Sequence, residues 1–221
     1  MLYIFKNPGV IWELLLEHLQ MTLLTLAIAV LIALPLALLI TRIRWLTVPI
    51  LGSLSILYTV PSLALIILLV PLFGLNVRSV IVAMVLYTQV ILVRSLSVGL
   101  QSIKPAILEA ARGMGMNAWQ RWWQVQVPLI LPIFLAGLRL SAIVAIAIGT
   151  IGAKFGAGGL GTLLFDGVAQ GRYDKIGSGA IVVALLAFVI NGIVLSLEWA
   201  ANPTRKIQRA ARRSYKPVGS H

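Results

Sequence analysis

From Met21 to Thr41 the chain runs without a single charged residue. At 1.5 Å per residue such a stretch, wound as a helix, covers the roughly 30 Å hydrocarbon layer of a bilayer. Runs of this kind recur along the chain, and none shows the polar/apolar alternation of a membrane β-barrel strand. The fold class implied is all-α and integral to the membrane. Composition agrees: 11% of residues are charged and mean hydropathy is +1.00, against about 25% charged in soluble domains.

Five transmembrane helices are expected, at about residues 19–41, 49–73, 77–100, 129–153 and 177–199. A short interfacial helix, carrying Glu13 and Glu17, should precede the first. Pro35 should kink the first span, and Pro61 and Pro71 with the polar centre Tyr58-Thr59 make the second irregular. Ser141, Ala145 and Gly149, spaced four apart, give the fourth span a face on which another helix can come close. The first apolar run lacks a small-residue cleavage pattern and follows acidic residues, so it is expected to stay in the mature protein. No internal repeat or boundary divides the chain, so residues 1–221 read as a single transmembrane domain with a basic tail over 202–221. The terminal Gly219-Ser220-His221 resembles a cloning remnant.

The net charge of +12 does not indicate nucleic acid, because most basic residues border apolar runs, where anionic lipid is the fitting partner. Counting Lys and Arg near span ends gives eleven on one side, including Arg42, Arg44, Lys104, Arg112, Arg121 and six in the tail. The other side has five: Lys6, Arg78, Lys154, Arg172 and Lys175. The richer side is expected to be cytoplasmic, with the N-terminus outside and the C-terminus inside. Cysteine is absent, and His18 and His221 have no ligand cluster around them, so no metal site is expected.

The longest polar interruption is Glu109–Pro132, which this topology puts in the cytoplasm. Pro105 fits the first turn of a helix carrying Ile107, Leu108, Ala111 and Met114 on one side. Gly113 and Gly115 should end it, and Asn117 with Gln120 should form a capping box for a second short helix reaching about Val127. Within this segment Glu109-Ala110-Ala111, three residues, Gly115, nine residues, Val125, one residue and Val127-Pro128 resembles the EAA signature of permease subunits in binding-protein-dependent ABC importers. Valine stands in place of its isoleucine and leucine. The resemblance implies a coupling helix pair, with Glu109, Ala110, Ala111, Gly115 and Pro128 as ATPase-coupling positions, inserted into a groove of a separate ATPase subunit.

Two further segments extend the resemblance over about residues 20–200. Ile151–Val168, IGAKFGAGGLGTLLFDGV, is similar to the glycine-rich segment after the fourth span in importers of osmoprotectants such as glycine betaine, carnitine and choline. Tyr58–Leu65, YTVPSLAL, looks like a stretch of the same branch. Gly156–Gly161 also fits G-x-G-x-x-G, but it follows a membrane span rather than a strand, so a dinucleotide site is excluded. No G-x-x-x-x-G-K-[ST] loop occurs. The chain is expected to be a non-enzymatic permease of the bacterial inner membrane that binds no cofactor, with ATP and Mg on the partner ATPase. The resemblance also implies an extracytoplasmic solute-binding protein and a second permease copy or related permease, with alternating access as the mechanism.

Candidate substrate-pathway residues are Tyr58 and Tyr87, whose ring faces attract a quaternary ammonium, with Thr59, Gln89 and Thr150 as polar lining; simple packing between helices is the competing reading. Lys154 tolerates a carboxylate and repels a simple cation, or else it snorkels at a span end. Arg94 and Arg139 lie inside spans, where an unpaired charge costs at least about 2.5 kcal/mol, and snorkelling or pairing competes with a transport role. A methionine or other amino-acid importer is the alternative within the class. An integral-membrane enzyme or assembly factor would need polar groups clustered at one depth, and away from the span ends the only charges inside the spans are these two arginines.

Overall fold

The computed structural model describes residues 2–201, and the basic tail expected over 202–221 lies outside the described residues. These contain α1 (Leu2–Lys6), α2 (Pro8–Arg42), α3 (Thr47–Thr59), α4 (Ser62–Phe73), α5 (Val77–Gln101), α6 (Pro105–Gly113), α7 (Ala118–Arg121), α8 (Val127–Gly152), α9 (Gly161–Ala169) and α10 (Tyr173–Ala201). No strand occurs among them. The four long helices α2, α5, α7–α8 and α10 are each apolar and long enough to cross a bilayer, and α3–α4 joins them as a fifth if its bent pair counts as one span.

The direction of packing decides how that pair runs. Thr25 meets Met84 and Ala29 meets Gln89, so α2 and α5 ascend together and are parallel. Ile40 accordingly shares a core with Leu100 and Ile103 at their far ends. A chain leaving the top of α2 reaches the bottom of a parallel α5 only by recrossing the layer, so α3–α4 acts as a broken span. The bend between its halves is 99°. Pro61 supplies no N–H and forces Val60 out of the helical region, to φ −65°, ψ 129°. The freed Val60 carbonyl is taken by the Tyr87 hydroxyl from α5. The irregularity expected around Pro61 is thus a near-right-angle break between two helices.

Helix α8 runs antiparallel to α5: Gly99 abuts Ile130, Gly137 abuts Ser95, and Gly152 abuts Val80. A Cβ at Gly137 or Gly152 would overlap its neighbour, so glycine allows the two axes to approach. Ser141 and Ala145 are fully buried on this face, as their spacing predicts. Helix α10 returns antiparallel to α8, with Arg139 of α8 paired to Glu198 near its end and Ile146 packed with Val182 and Leu186. Alternation through α2, α3–α4, α5, α8 and α10 brings the two described termini to opposite ends of the bundle.

Two expected boundaries move. No separate interfacial helix precedes the first span apart from the five-residue α1; α2 is continuous from Pro8 for 35 residues and passes through Pro35. Pro8 at its start costs no hydrogen bond, and Glu17, the charge that argued for an interfacial position, is answered from across the bundle by Gly159. The second short helix of the central segment is also not separate. Four residues of α7 pass through a π-turn at Trp122–Gln126 into α8, so Ala118–Phe155 forms one 38-residue rod.

Candidate functional site

Helix α6 and the rod that follows are positioned by local sequence. Helix α6 starts at Pro105 and ends in a left-handed Gly115 with φ 79°. The Gly115 N–H bonds the Arg112 carbonyl at 2.9 Å and the Met116 N–H bonds the Ala111 carbonyl at 3.1 Å, which is the Schellman termination. Asn117 and Gln120 then form the reciprocal capping box, both bonds 2.8 Å. Arg121 donates to the Met116 carbonyl at 2.7 Å and fastens the turn. The joint is therefore a fixed elbow.

The faces of α6 differ from the expected pattern. Ala111 is 1% exposed, and Leu108 packs with Trp122 against the Leu100–Ile103–Ile130 core. Ile107 and Met114, expected on one side with Leu108 and Ala111, are exposed, Met114 by 73%. The inward contact is narrower than the apolar stripe, and the surplus apolar surface faces outward with exposed Glu109 and Ala110. Glu109 makes no ion pair among the described residues. Pro128 is exposed in the first turn of α8. The exposed surface of α6 thus carries a free carboxylate and apolar side chains beside a rigid elbow.

The pathway candidates fall into separate places. Tyr58 and Tyr87 form a tilted ring pair with centroids 5.4 Å apart, at the α3–α4 break, and Tyr58 is 42% exposed. The Thr59 hydroxyl donates to the Ile56 carbonyl at 2.7 Å and caps its own helix. Gln89, 3% exposed, donates from Nε2 to the Ala29 carbonyl at 3.1 Å, which makes it a tie between α2 and α5. Thr150 bonds back to the Ile146 carbonyl at 2.8 Å. Lys154 is exposed, with Nζ 5.9 Å from the centroid of the Phe165 ring. A cavity of about 310 Å³ is lined by Tyr58, Ser55, Arg94, Ser95, Val90, Ile91 and Leu140, and by none of Gln89, Thr150 or Lys154.

At the opposite end from α6, the glycine-rich segment lies on α2. Gly156, Gly158 and Gly159 all have positive φ, and the Gly159 N–H donates to Glu17 Oε2 at 2.8 Å. His18, fully buried, lies against both Gly149 and Gly159. Glu17, Gln20, Met21 and Gly156–Gly158 border a cavity of about 440 Å³. The sequence places Glu17 on an interfacial helix and offers His18 no metal ligands, but it gives no sign of the glycine loop that packs on both, 142 positions from Glu17. Beside this loop, Lys175 pairs with Asp166 at 3.1 Å and Arg172 with Asp174 at 2.8 Å; Arg172 and Lys175 also lie over the Tyr3 ring. Among the described residues no group of three or more His, Cys, Asp or Glu could hold a metal.

The family model described as "binding-protein-dependent transport system inner membrane component" matches residues 26–203. The osmoprotectant import permease protein OsmW of Salmonella typhimurium is 36% identical over 206 residues, covering 91% of this chain and 96% of its own. The carnitine transport permease protein OpuCB of Listeria monocytogenes is 35% identical, covering 89% of each chain. The glycine betaine/carnitine/choline transport system permease protein OpuCB of Bacillus subtilis is 32% identical, covering 85% of this chain and 86% of its own. Among solved structures, the MetNI methionine ABC transporter aligns with TM-score 0.76 at 20% identity, over 87% of this chain and 96% of its own. An amino acid ABC transporter aligns with TM-score 0.65 at 21% identity, over 90% and 95%.

Proposed function

The chain belongs to the inner membrane components of binding-protein-dependent transport systems, and from that premise we propose that it moves a small osmoprotectant or quaternary-amine solute into the cytoplasm. It is a non-catalytic permease subunit of an ABC importer, held in the inner membrane. The observation that carries the solute class is that relatives at 32–36% identity, matched over most of their length, are permeases for osmoprotectants, carnitine, glycine betaine and choline. The exposed ring of Tyr58, tilted against buried Tyr87 at the α3–α4 break, supports it, since a π face attracts a quaternary ammonium without hydrogen bonds. The amino-acid transporters share the fold at 20–21% identity, which carries no solute.

In this reading ATP and Mg act on a partner ATPase, and a solute-binding protein delivers at the end where the glycine loop and the Asp166–Lys175 network lie. The exposed surface of α6 around Glu109 and Ala110 docks into the ATPase. Closure of the ATPase pair moves α6, the Gly115 elbow passes that displacement on, and the rod from Ala118 to Phe155 carries it across the layer to the glycine loop. A second permease copy covers the exposed side of the tyrosine pair. Uptake into proteoliposomes holding the complete complex, offered glycine betaine, carnitine, choline and methionine, tests the solute class. Accumulation of the quaternary amines is expected, and accumulation of methionine alone overturns it.

A further inference from the structure

We infer that Arg94 binds the carboxylate of a zwitterionic quaternary amine in transit, while Tyr58 faces its ammonium group; this rests on the solute class proposed above. The two arginines inside spans are not equivalent. Arg139 is paired with Glu198 at 3.5 Å. Arg94 has no acidic partner among the described residues and is exposed, seven residues before the end of α5 at Gln101, about 10 Å inside that end. An unpaired guanidinium there is costly to the fold, and a ligand that neutralises it offsets that cost.

Its surroundings match such a ligand. The roughly 310 Å³ cavity is at the small end of ligand pockets. Its wall carries a cation, a tyrosine ring, and the hydroxyls of Ser55 and Ser95, with no acidic residue. Those two hydroxyls make no hydrogen bond among the described residues, whereas Thr22, Thr41, Ser53 and Thr150 each bond their own helix four residues back. The cavity therefore offers a planar fork of donors and two spare hydroxyls to a carboxylate, beside an aromatic face for the ammonium. A cation without a carboxylate, such as choline, gains only the ring and meets the charge of Arg94. Tyr58, Arg94 and Leu140 are all exposed on the same wall, on the side proposed to meet the second copy.

The test compares glycine betaine with choline in proteoliposomes holding the intact complex, so that the binding protein's own preference cancels between wild type and variant. Arg94→Gln is expected to raise KM for betaine about tenfold or more, the size of one lost charge-assisted contact, and to leave the KM for choline unchanged or lower it as the like charge is removed. Arg94→Lys keeps the charge and loses the fork. It is expected to show a smaller rise for betaine alone, and it serves as the readout if the glutamine variant does not assemble. Equal loss of both solutes, or no change in either, overturns the inference. Wild-type uptake of neither solute overturns the quaternary-amine reading first, and the inference with it.

Discussion

Glu17 on α2 accepts a 2.8 Å hydrogen bond from the N–H of Gly159, joining the start of the first span to the loop after the fourth. The contact depends on glycine twice. Gly158 and Gly159 have φ of 72° and 74°, and a Cβ on them would sit 2.6 Å from Glu17 Oε2 and 2.9 Å from His18 Nδ1 respectively. Gly159→Ala is expected to destabilise the detergent-solubilised protein by about 1–3 kcal/mol, through the strained backbone and the displaced imidazole. Glu17→Ala is expected to lower Tm by a few degrees, about 1 kcal/mol for a chain of this size. Gly177→Ala, inside α10 with nothing within 4 Å of the new methyl, should hold or raise Tm. Equal Tm for all three variants would remove the loop–α2 contact from the account.

The break in the second span makes a narrower prediction. Tyr87→Phe removes the hydroxyl bonded to the Val60 carbonyl and keeps the ring beside Tyr58. A carbonyl left unpaired away from water costs about 1–3 kcal/mol, so the variant should unfold earlier in a thermal melt. Retention of wild-type stability would mean that Val60 has another donor.

Arg139 and Glu198 tie α8 to α10. Arg139→Leu and Glu198→Leu alone should each destabilise by about 1–3 kcal/mol, while the double variant recovers much of the loss, because two leucines strand no charge in an apolar layer. Additive losses in the double-mutant cycle would show that the pair does not interact.

The two alanines of α6 separate folding from docking. Ala111 is buried and Ala110 exposed. Ala111→Leu overpacks the seam and should cost about 1–3 kcal/mol of stability. Ala110→Leu should leave Tm unchanged and weaken co-purification with the ATPase subunit. Reversal of the two effects would put the docking face on the other side of α6.

How far the sequence could be read differed by the range of the physics involved. The apolar runs, the Pro105 start, the Gly115 joint and the Asn117–Gln120 box are written in neighbouring residues, and each appears in the structure. The small-residue face of Ser141, Ala145 and Gly149 was legible from spacing. What could not be read needs partners from afar. The donor to Glu17 stands at Gly159, 142 positions away, and Arg94 and Arg139 differ only through Glu198, which lies beside one of them. No Gly or Pro marks the π-turn at Trp122–Gln126 that fuses α7 to α8.

The most direct test of the central claim is ATP-driven glycine betaine uptake by the reconstituted complex, with wild type compared to a Glu109→Ala/Gly115→Val double variant at matched membrane abundance. Valine is disfavoured at the left-handed Gly115 position, so the elbow should deform while the spans remain. Near-complete loss of uptake is expected, with the permease still inserted and the ATPase no longer stimulated by loaded binding protein. Uptake at the wild-type rate in the double variant would contradict it.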